Sequence, residues 1–555
     1  MSMRFLAVAL TVLAGGAFAQ PSIDPGRILN TSGDQPVLAP GAVWVIYGKN
    51  LGPTNLVAAD APNFPTMVGG TSVTFTPTGS GSPIQAKVWY TLSTQVGGFL
   101  PSTAATGTYN VTVSYGGQTS PPQSVTVVAR SMGVGTANGL GTGPAQATVA
   151  NVNNGLSLVR FTSGSFDYLG YHWLSGPTHP GDEVVLWGTG GGADASNDPG
   201  PAPSSSGDQT ASGNFMVTVG TRQIKPDYAG TVSGSPGLWQ INVRLPNDID
   251  LDCFAPVQVT AGGTAGNLTS IAIAAPGATS CTDSQFSQTL LATMDTGHNL
   301  IVGAFALAKI GSSPTAASFQ ETGSGFFGNY TPAELAAPRI GPKFNGCEIY
   351  DRTYPVAGTD PGSPDGYVDA GSRLPVSGAN FTAGSALAGN STAKGILYSI
   401  SPSAGTLTGT SYTLSGTGGN TVAAFSAMTT FPASFTGTNW DSIASVNRAN
   451  PLTLTWSGTG FNNVYILVNS ITTTTTTRRI VTMNCVVPAA PGTYTIPPAA
   501  LAYLPAVPAS GTSFGSITLE AQVATAFTAP LTAGGQIDLG SFAGDFGYTK
   551  NIAIQ

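Results

Sequence analysis

Charge is what this sequence has least of. Lys and Arg together number 19, Asp and Glu 26, and histidine occurs three times in 555 residues. The net charge is −7, and no basic run or basic–aromatic patch occurs, which excludes the electrostatic footprint of a nucleic-acid binder. The adjacent pair Arg478-Arg479 follows a threonine run and reads as the solvated start of a strand. Cysteine is limited to Cys253, Cys281, Cys347 and Cys485, with no Cys-x-x-Cys spacing, so with so few histidines a structural zinc site is not expected. The helix formers Glu, Lys and Arg are scarce. Past the first nineteen residues no apolar stretch reaches the ~20 residues that a membrane-spanning helix needs, so no span is expected in the mature chain.

What is present is turn and strand chemistry. Gly (73) and Pro (41) are abundant, and Val, Thr and Ile runs recur between them. The 41% hydrophobic content, in regularly spaced segments, argues against disorder outside linkers. An all-β fold follows, and the length calls for about three or four domains. Residues 1–19 read as a signal peptide: Arg4, an apolar run Phe5 to Leu13, and Ala17-Phe18-Ala19 before the cleavage point. No cysteine follows that point, so a lipoprotein anchor is not indicated. The mature protein is expected to be exported: extracellular, at the cell surface or periplasmic.

Two stretches carry the same pattern. Pro40-Gly-Ala-Val-Trp-Val-Ile-Tyr-Gly-Lys-Asn-Leu-Gly52 and Pro180-Gly-Asp-Glu-Val-Val-Leu-Trp-Gly-Thr-Gly-Gly-Gly192 place proline, glycine, an apolar run, an aromatic and two further glycines at identical offsets. Each reads as a turn, a strand and a glycine-rich loop. Further landmarks follow in order: Ile84 with Ile224, Gln95-Val96 with Gln240-Ile241, Leu100-Pro101 with Leu245-Pro246, and Gly116-Gly117 with Gly262-Gly263. Such ordered self-similarity means two copies of one β-rich unit. We place the first at 20–130 and the second at 131–281, the second carrying an exposed insert at 193–212. Short strands with turns every 8–12 residues fit immunoglobulin-like sandwiches.

Both units resemble immunoglobulin-like E-set domains of the IPT/TIG type, whose strand ends in Gly-x-Asn-Leu or Gly-x-Gly, as in Gly48-Lys-Asn-Leu-Gly52 and Gly188-Thr-Gly190. More closely, residues 35–280 resemble a family of uncharacterised exported proteins found mostly in acidobacteria. The shared segments are Val68-Gly-Gly-Thr-Ser-Val73, Tyr90-Thr-Leu-Ser-Thr-Gln95 and Gly237-Leu-Trp-Gln-Ile-Asn-Val-Arg-Leu-Pro246. The first copy departs from the pattern, with Val96-Gly-Gly-Phe99 where an apolar-Asn-aromatic run is expected. The resemblance implies a fold and carries over no catalytic residue and no cofactor.

Residues 282–555 lack the repeat. Strand-like segments (Leu300–Leu307, Gly395–Ile400, Thr421–Met428, Pro451–Trp456, Asn463–Val468, Ser516–Ala521) imply a β-rich region of one or two further sandwiches, and Ala333–Ala337 could form a helical turn. Three cysteine pairings are possible; pairing Cys253 with Cys281 across two strands of one domain leaves Cys347 with Cys485.

Candidate chemistry is sparse. Gly511-Thr-Ser-Phe-Gly515 matches a nucleophile elbow but precedes a strand and has no later histidine, so a turn is the better reading. Asp295-Thr-Gly297 and Val368-Asp-Ala-Gly-Ser372 resemble the paired loops of aspartic proteases, which need two carboxylates close enough to share a proton. Asp360, Asp365 and Asp369 cluster three carboxylates in one loop, a candidate calcium site without EF-hand spacing. His172 and His179, with Asp167, could join a metal site, although a loop packed by Tyr171 and Trp173 is the simpler reading. Trp44, Trp187 and Trp239 fall inside repeat landmarks and read as core. Trp173 and Trp440 sit in loop-like contexts and are the candidate ligand-binding aromatics.

The expected function is a non-catalytic exported protein for surface interaction, adhesion or scaffolding, with surface proteins or polysaccharide as partners. Polysaccharide binding is the alternative, and a hydrolase in residues 282–555 the third. The cysteine reading makes a direct prediction. Thiol titration of the denatured, unreduced protein returns no free thiol, and four free thiols would contradict it.

Overall fold

The computed structural model describes residues 19–555 except 62, 138, 140, 152–154, 169–170, 196–197, 199–206, 317, 345, 357–359, 361–362 and 476. Residues 1–18 of the expected signal peptide therefore lie outside the described residues, as does much of the 193–212 insert. The chain is nearly all β, arranged in several separate sheets.

The two repeat motifs form equivalent strands. β1 (Val43–Lys49) lies between Ser22–Asn30 and Gln95–Phe99 in a five-stranded sheet. β2 (Glu183–Thr189) lies between Ala147–Asn151 and Trp239–Arg244 in its own sheet. In both, the strand after the Gln landmark pairs antiparallel with the motif strand. The first sheet packs on a second containing Thr71–Pro77, Gly107–Tyr115 and Gln123–Val127, around Trp44, Ile46, Phe75 and Tyr109. Alternation along Gly107–Tyr115 buries Tyr109, Val111 and Val113, while Tyr115 at the strand end is half-buried. The segment Ile84–Leu92 divides between the two sheets. Ile84–Gln85 joins one sheet and Lys87–Leu92 the other, with the fully buried Ala86 at the crossing. The second unit closes around Leu186, Trp239, Ile241 and Val257. The first copy's departure at Gly97-Gly98 has a steric cause. A Cβ at 97 would strike the Tyr90 ring and one at 98 the Trp44 ring.

The units meet through the second copy's glycine-rich loop. Asn30 is fully buried; its Nδ2 donates to the carbonyls of Ser131 (2.9 Å) and Thr189 (3.2 Å), and its Oδ1 accepts from the amides of Ser32 and Gly33. The Val43 amide donates to Thr189 Oγ1, which donates to the Gly237 carbonyl. Gly190 (φ +90°) has to be glycine, since a Cβ there would collide with the Ser131 carbonyl.

The remaining residues build a fifteen-stranded sheet and a three-stranded one. After α1 (Gln288–Asp295), its principal strands are β3 (Leu300–Gly311) and β4 (Gln320–Tyr330). A short helix, α2 (Pro332–Ala336), follows where a helical turn is expected, capped reciprocally by Thr331 and Glu334. Then come β5 (Cys347–Pro355), β6 (Asn463–Thr473), β7 (Thr477–Pro488), β8 (Phe514–Ala526) and β9 (Leu539–Ile554). Their order is β5-β7-β6-β8-β9-β3-β4, after which shorter strands continue the sheet. β9 is antiparallel to β8 and parallel to β3. The sheet carries two cores. One, around Trp440, Trp456, Ile466 and Met483, also takes in the strands of the three-stranded sheet; the other gathers Phe305, Phe327, Tyr398 and Phe425.

Both expected disulfides form. Cys347 and Cys485 oppose one another across β5 and β7, 138 residues apart in sequence. Cys253–Cys281 lies in a core shared by the second unit and α1, with Phe254, Phe286, Leu291 and Ile340. Arg339, 6% exposed, locks this junction. It donates to Asp283 Oδ2 (2.7 Å) and Gln285 Oε1 (2.8 Å), and its guanidinium lies over the rings of Phe254 and Phe286. Removing one partner of such a pair strands the other charge out of water. Arg339→Ala is therefore expected to cost about 3–5 kcal/mol in urea unfolding, and replacing the pair together with Met and Leu to recover most of that loss. A change below about 1 kcal/mol in the single variant, the size of a surface ion pair, would show that the pair is not effectively buried.

Candidate functional site

One face of the large sheet is apolar and buried. Val464, Ile466 and Val468 of β6, Val481 and Met483 of β7, and Ile517 and Leu519 of β8 all point into the core. Strand alternation then turns the intervening residues the other way. Register aligns them in cross-strand rows. Tyr350, Thr482, Asn469, Ser516 and Asn551 form one; Glu348, Asn484, Leu467, Thr518 and Thr549 form the next. Most of these side chains are half-buried and polar.

A pocket of about 360 Å³ opens on this face, lined by Tyr350, Arg352, Asp360, Asn469, Thr482 and Asn484, with Pro338 and Leu467 supplying apolar surface. Its polar groups are chained together. Arg352 Nε holds Asp360 Oδ2 at 2.6 Å and its Nη1 donates to Thr482 Oγ1 at 3.3 Å. Thr482 donates to Asn469 Oδ1 (2.8 Å), and Asn469 Nδ2 to Ser516 Oγ (3.3 Å). Burial, with the Asp360 charge beside it, pushes the Tyr350 hydroxyl up to about 12, so it stays protonated as a donor. Glu348 at the edge is also raised by burial, against the pull of Arg339 and Lys343. Two atoms stand out: Tyr350 Oη and Asn484 Oδ1 are buried with no hydrogen-bond partner. Such orphans are costly and mark where a ligand or ordered water completes the site.

The next two rows hold a carboxylate pair. Tyr465 opposes Glu520, and Gln522 opposes Asp545 on β9, so both acids share the same face. Burial pushes Glu520 up to about 8, with the Asp545 charge adding to it. Burial raises Asp545 to about 6, against the Gln522 amide that donates to it at 2.7 Å.

The residues singled out from sequence fall differently. Trp440 is not an exposed platform: it is fully buried on a 3-10 turn, its Nε1 donating to the Ser312 carbonyl and Lys550 lying over its ring. Polar neighbours in sequence concealed a core position. Trp173 lies on a strand, Tyr171–Gly176, and is half-buried with its Nε1 enclosed and unpaired. The exposed tryptophan is Trp89 (42%), which sequence reasoning passed over because it sits within an ordinary strand pattern.

Asp360, Asp365 and Asp369 do not converge on one site. Asp360 pairs with Arg352, exposed Asp365 faces Glu334, and Asp369 accepts from the amides of Gly371 and Asn420. Among the described residues no group of three metal-ligating side chains occurs. Asp295 is tied to Phe161 and Thr162 by three hydrogen bonds, so Asp295 and Asp369 anchor separate turns. His179 bridges Asp182 and the Ala278 carbonyl. His172 opposes Asp167 in strand register. Ser513 accepts from the Thr473 amide in a turn just before β8. Two larger pockets border the second unit: one of about 600 Å³ reaches α1 and α2, and one of about 640 Å³ is lined by Asp252, Asp283, Arg339, Lys343 and Glu348, whose ion pairs fill much of its polar lining.

No family model and no curated protein matches the chain. Among solved structures, SGBP-B from a complex xyloglucan utilization locus in Bacteroides uniformis is 12% identical over 61% of this chain and 78% of its own, with a TM-score of 0.13. The S-layer protein rSbsC(31-844) is 11% identical over 86% and 67%, with a TM-score of 0.13. The FN1-FN3 domains of chicken CNTN1 are 9% identical over 68% and 99%, with a TM-score of 0.11. These are weak likenesses to β-domain surface proteins, and none carries an argument about this site.

The carboxylate pair predicts a pH dependence. Both acids have folded pKa values above their ordinary ones, so between about pH 4.5 and 8 the folded state holds protons the unfolded state has released. Stability then falls as pH rises through that window. Glu520→Gln is expected to raise Tm at pH 8 and to leave it nearly unchanged at pH 4.5; an equal shift at both would show that Glu520 does not titrate in this way.

Proposed function

We propose that the protein is an exported, non-catalytic binding protein that holds polysaccharide at the Tyr350–Asn484 pocket. One observation carries this reading: two buried, neutral hydrogen-bonding atoms without partners stand in a pocket whose charged residues are already paired. Sugar hydroxyls both donate and accept, and so can satisfy a phenol and an amide carbonyl together. Two disulfides suit an oxidising compartment outside the cytosol. In this reading the first two units are E-set-like modules that carry the binding region. The acids once considered for catalysis, Asp295 and Asp369, support turns.

A scaffolding role through a protein partner is the second reading. It is favoured by exposed Leu56, Val57, Met67 and Trp89 around the short edge strand Val57–Ala58.

Glycan-array binding followed by calorimetry tests the proposal. The purified protein is expected to retain at least one oligosaccharide. Asn484→Ala and Tyr350→Phe should each weaken it about tenfold, roughly 1.4 kcal/mol, while Trp173→Ala leaves it intact. Folded protein that retains no glycan, or variants that bind as wild type, would defeat the assignment.

A further inference from the structure

We infer that the pocket takes a neutral polysaccharide, laid lengthwise across the strands from β5 toward β9, and rejects acidic and sulfated chains. The inference rests on the glycan reading above and adds the ligand's charge and direction.

Within the pocket the charged side chains are paired with one another or with neighbours. Arg352 is held by Asp360 at 2.6 Å. Glu348 faces Arg339 at 3.4 Å and Lys343 at 3.7 Å, and those two cations also serve Asp283 and Asp252. Among the described lining residues, every charge thus has an internal counter-charge, and no cation remains to balance a carboxylate or sulfate. The next arginine on this face, Arg478, lies four residues along β7 from Thr482, about 13 Å away. In the other direction stand Glu520 and, beside Gln522, Asp545; neither is a cation, and only Asp545 carries a charge near neutral pH. The groups free to recognise a ligand are instead hydroxyls and amides.

The direction follows from register. Beyond the pocket the polar row continues from Asn469 to Ser516, and the adjacent row ends in Thr518 and Thr549, whose hydroxyls lie 2.9 Å apart. From β5 to β9 is four strand spacings, about 19 Å. That length suits several sugar rings in line, with Leu467 and Tyr465 giving apolar surface for ring faces. Recognition through neutral hydrogen bonds is also insensitive to screening, unlike recognition of a polyanion.

The test uses the full mature protein against immobilised neutral hexasaccharides (gluco-, xylo- and manno-configured), a uronate hexasaccharide and a sulfated one, at 50 and 500 mM NaCl. At least one neutral probe is expected to bind, with Kd unchanged within twofold between the two salts. Retention of only the uronate or sulfated probe, or a tenfold loss at high salt, would overturn the charge assignment while leaving a glycan site in place. Retention of no probe overturns both readings. Thr518→Val and Thr549→Val, outside the pocket, should weaken the hexasaccharide at least threefold and leave the matching disaccharide unaffected. Equal effects on both lengths, or none, would refute the lengthwise course. Thermal melts confirm that each variant is folded.

Discussion

The large sheet depends on one pairing. β3 and β9 run parallel, in continuous register from Val302–Leu539 to Gly311–Tyr548. β9 also binds β8 along nearly its whole length, so it is the seam between the two cores. Remove it and both β8 and β3 become edges, each exposing a row of backbone donors and acceptors. The residues between 311 and 539 are in effect a very long excursion between neighbouring strands. Closing it costs entropy that grows only with the logarithm of its length, but all of the pairing must wait for distant chain to arrive, which makes folding slow.

Scarcity of charge shapes everything attached to that sheet. With so few ionisable groups, several are committed to structural pairs. Arg339 with Asp283 locks the second unit to α1, and Arg352 with Asp360 walls the pocket. A buried pair of this kind adds little over an apolar substitute, but it punishes the wrong neighbour. The remaining polar work falls to Asn, Thr, Ser and Tyr, whose hydrogen bonds survive salt. Asn30, with all its bonding capacity used at the first junction, and Asn484, with its carbonyl unmatched in the pocket, show the two uses of the same side chain.

How much of this could be read from the chain depends on whether the signal was local. The Pro-Gly strand motif announced the repeat because turn, strand and loop chemistry fall within a dozen residues, and β1 and β2 indeed hold matching places. The disulfides were legible because few cysteines leave few pairings. The long strands of the third region were read short or missed. β9 contains Gly540, Gly544 and Asp545, which look like turn residues, yet Gly544 lies against the Thr430 carbonyl where no side chain fits. The pocket was invisible, since Tyr350, Asn469 and Asn484 meet only through register. The loop aspartates seemed to form a site because they are close in sequence; Asp360 instead pairs with Arg352, Asp365 faces Glu334 and Asp369 holds a turn.

The parallel pairing has a mechanical meaning wherever the chain bears load. Tension entering from the first two units reaches β3 at its leading end, Leu300, just past the α1 junction. Tension leaving through β9 departs from its far end, near Ile554. Two parallel strands pulled from opposite ends are loaded in shear, so the backbone bonds between them carry the force together rather than peeling one at a time. The strand arrangement that makes the sheet slow to assemble also makes it hard to pull apart along this axis.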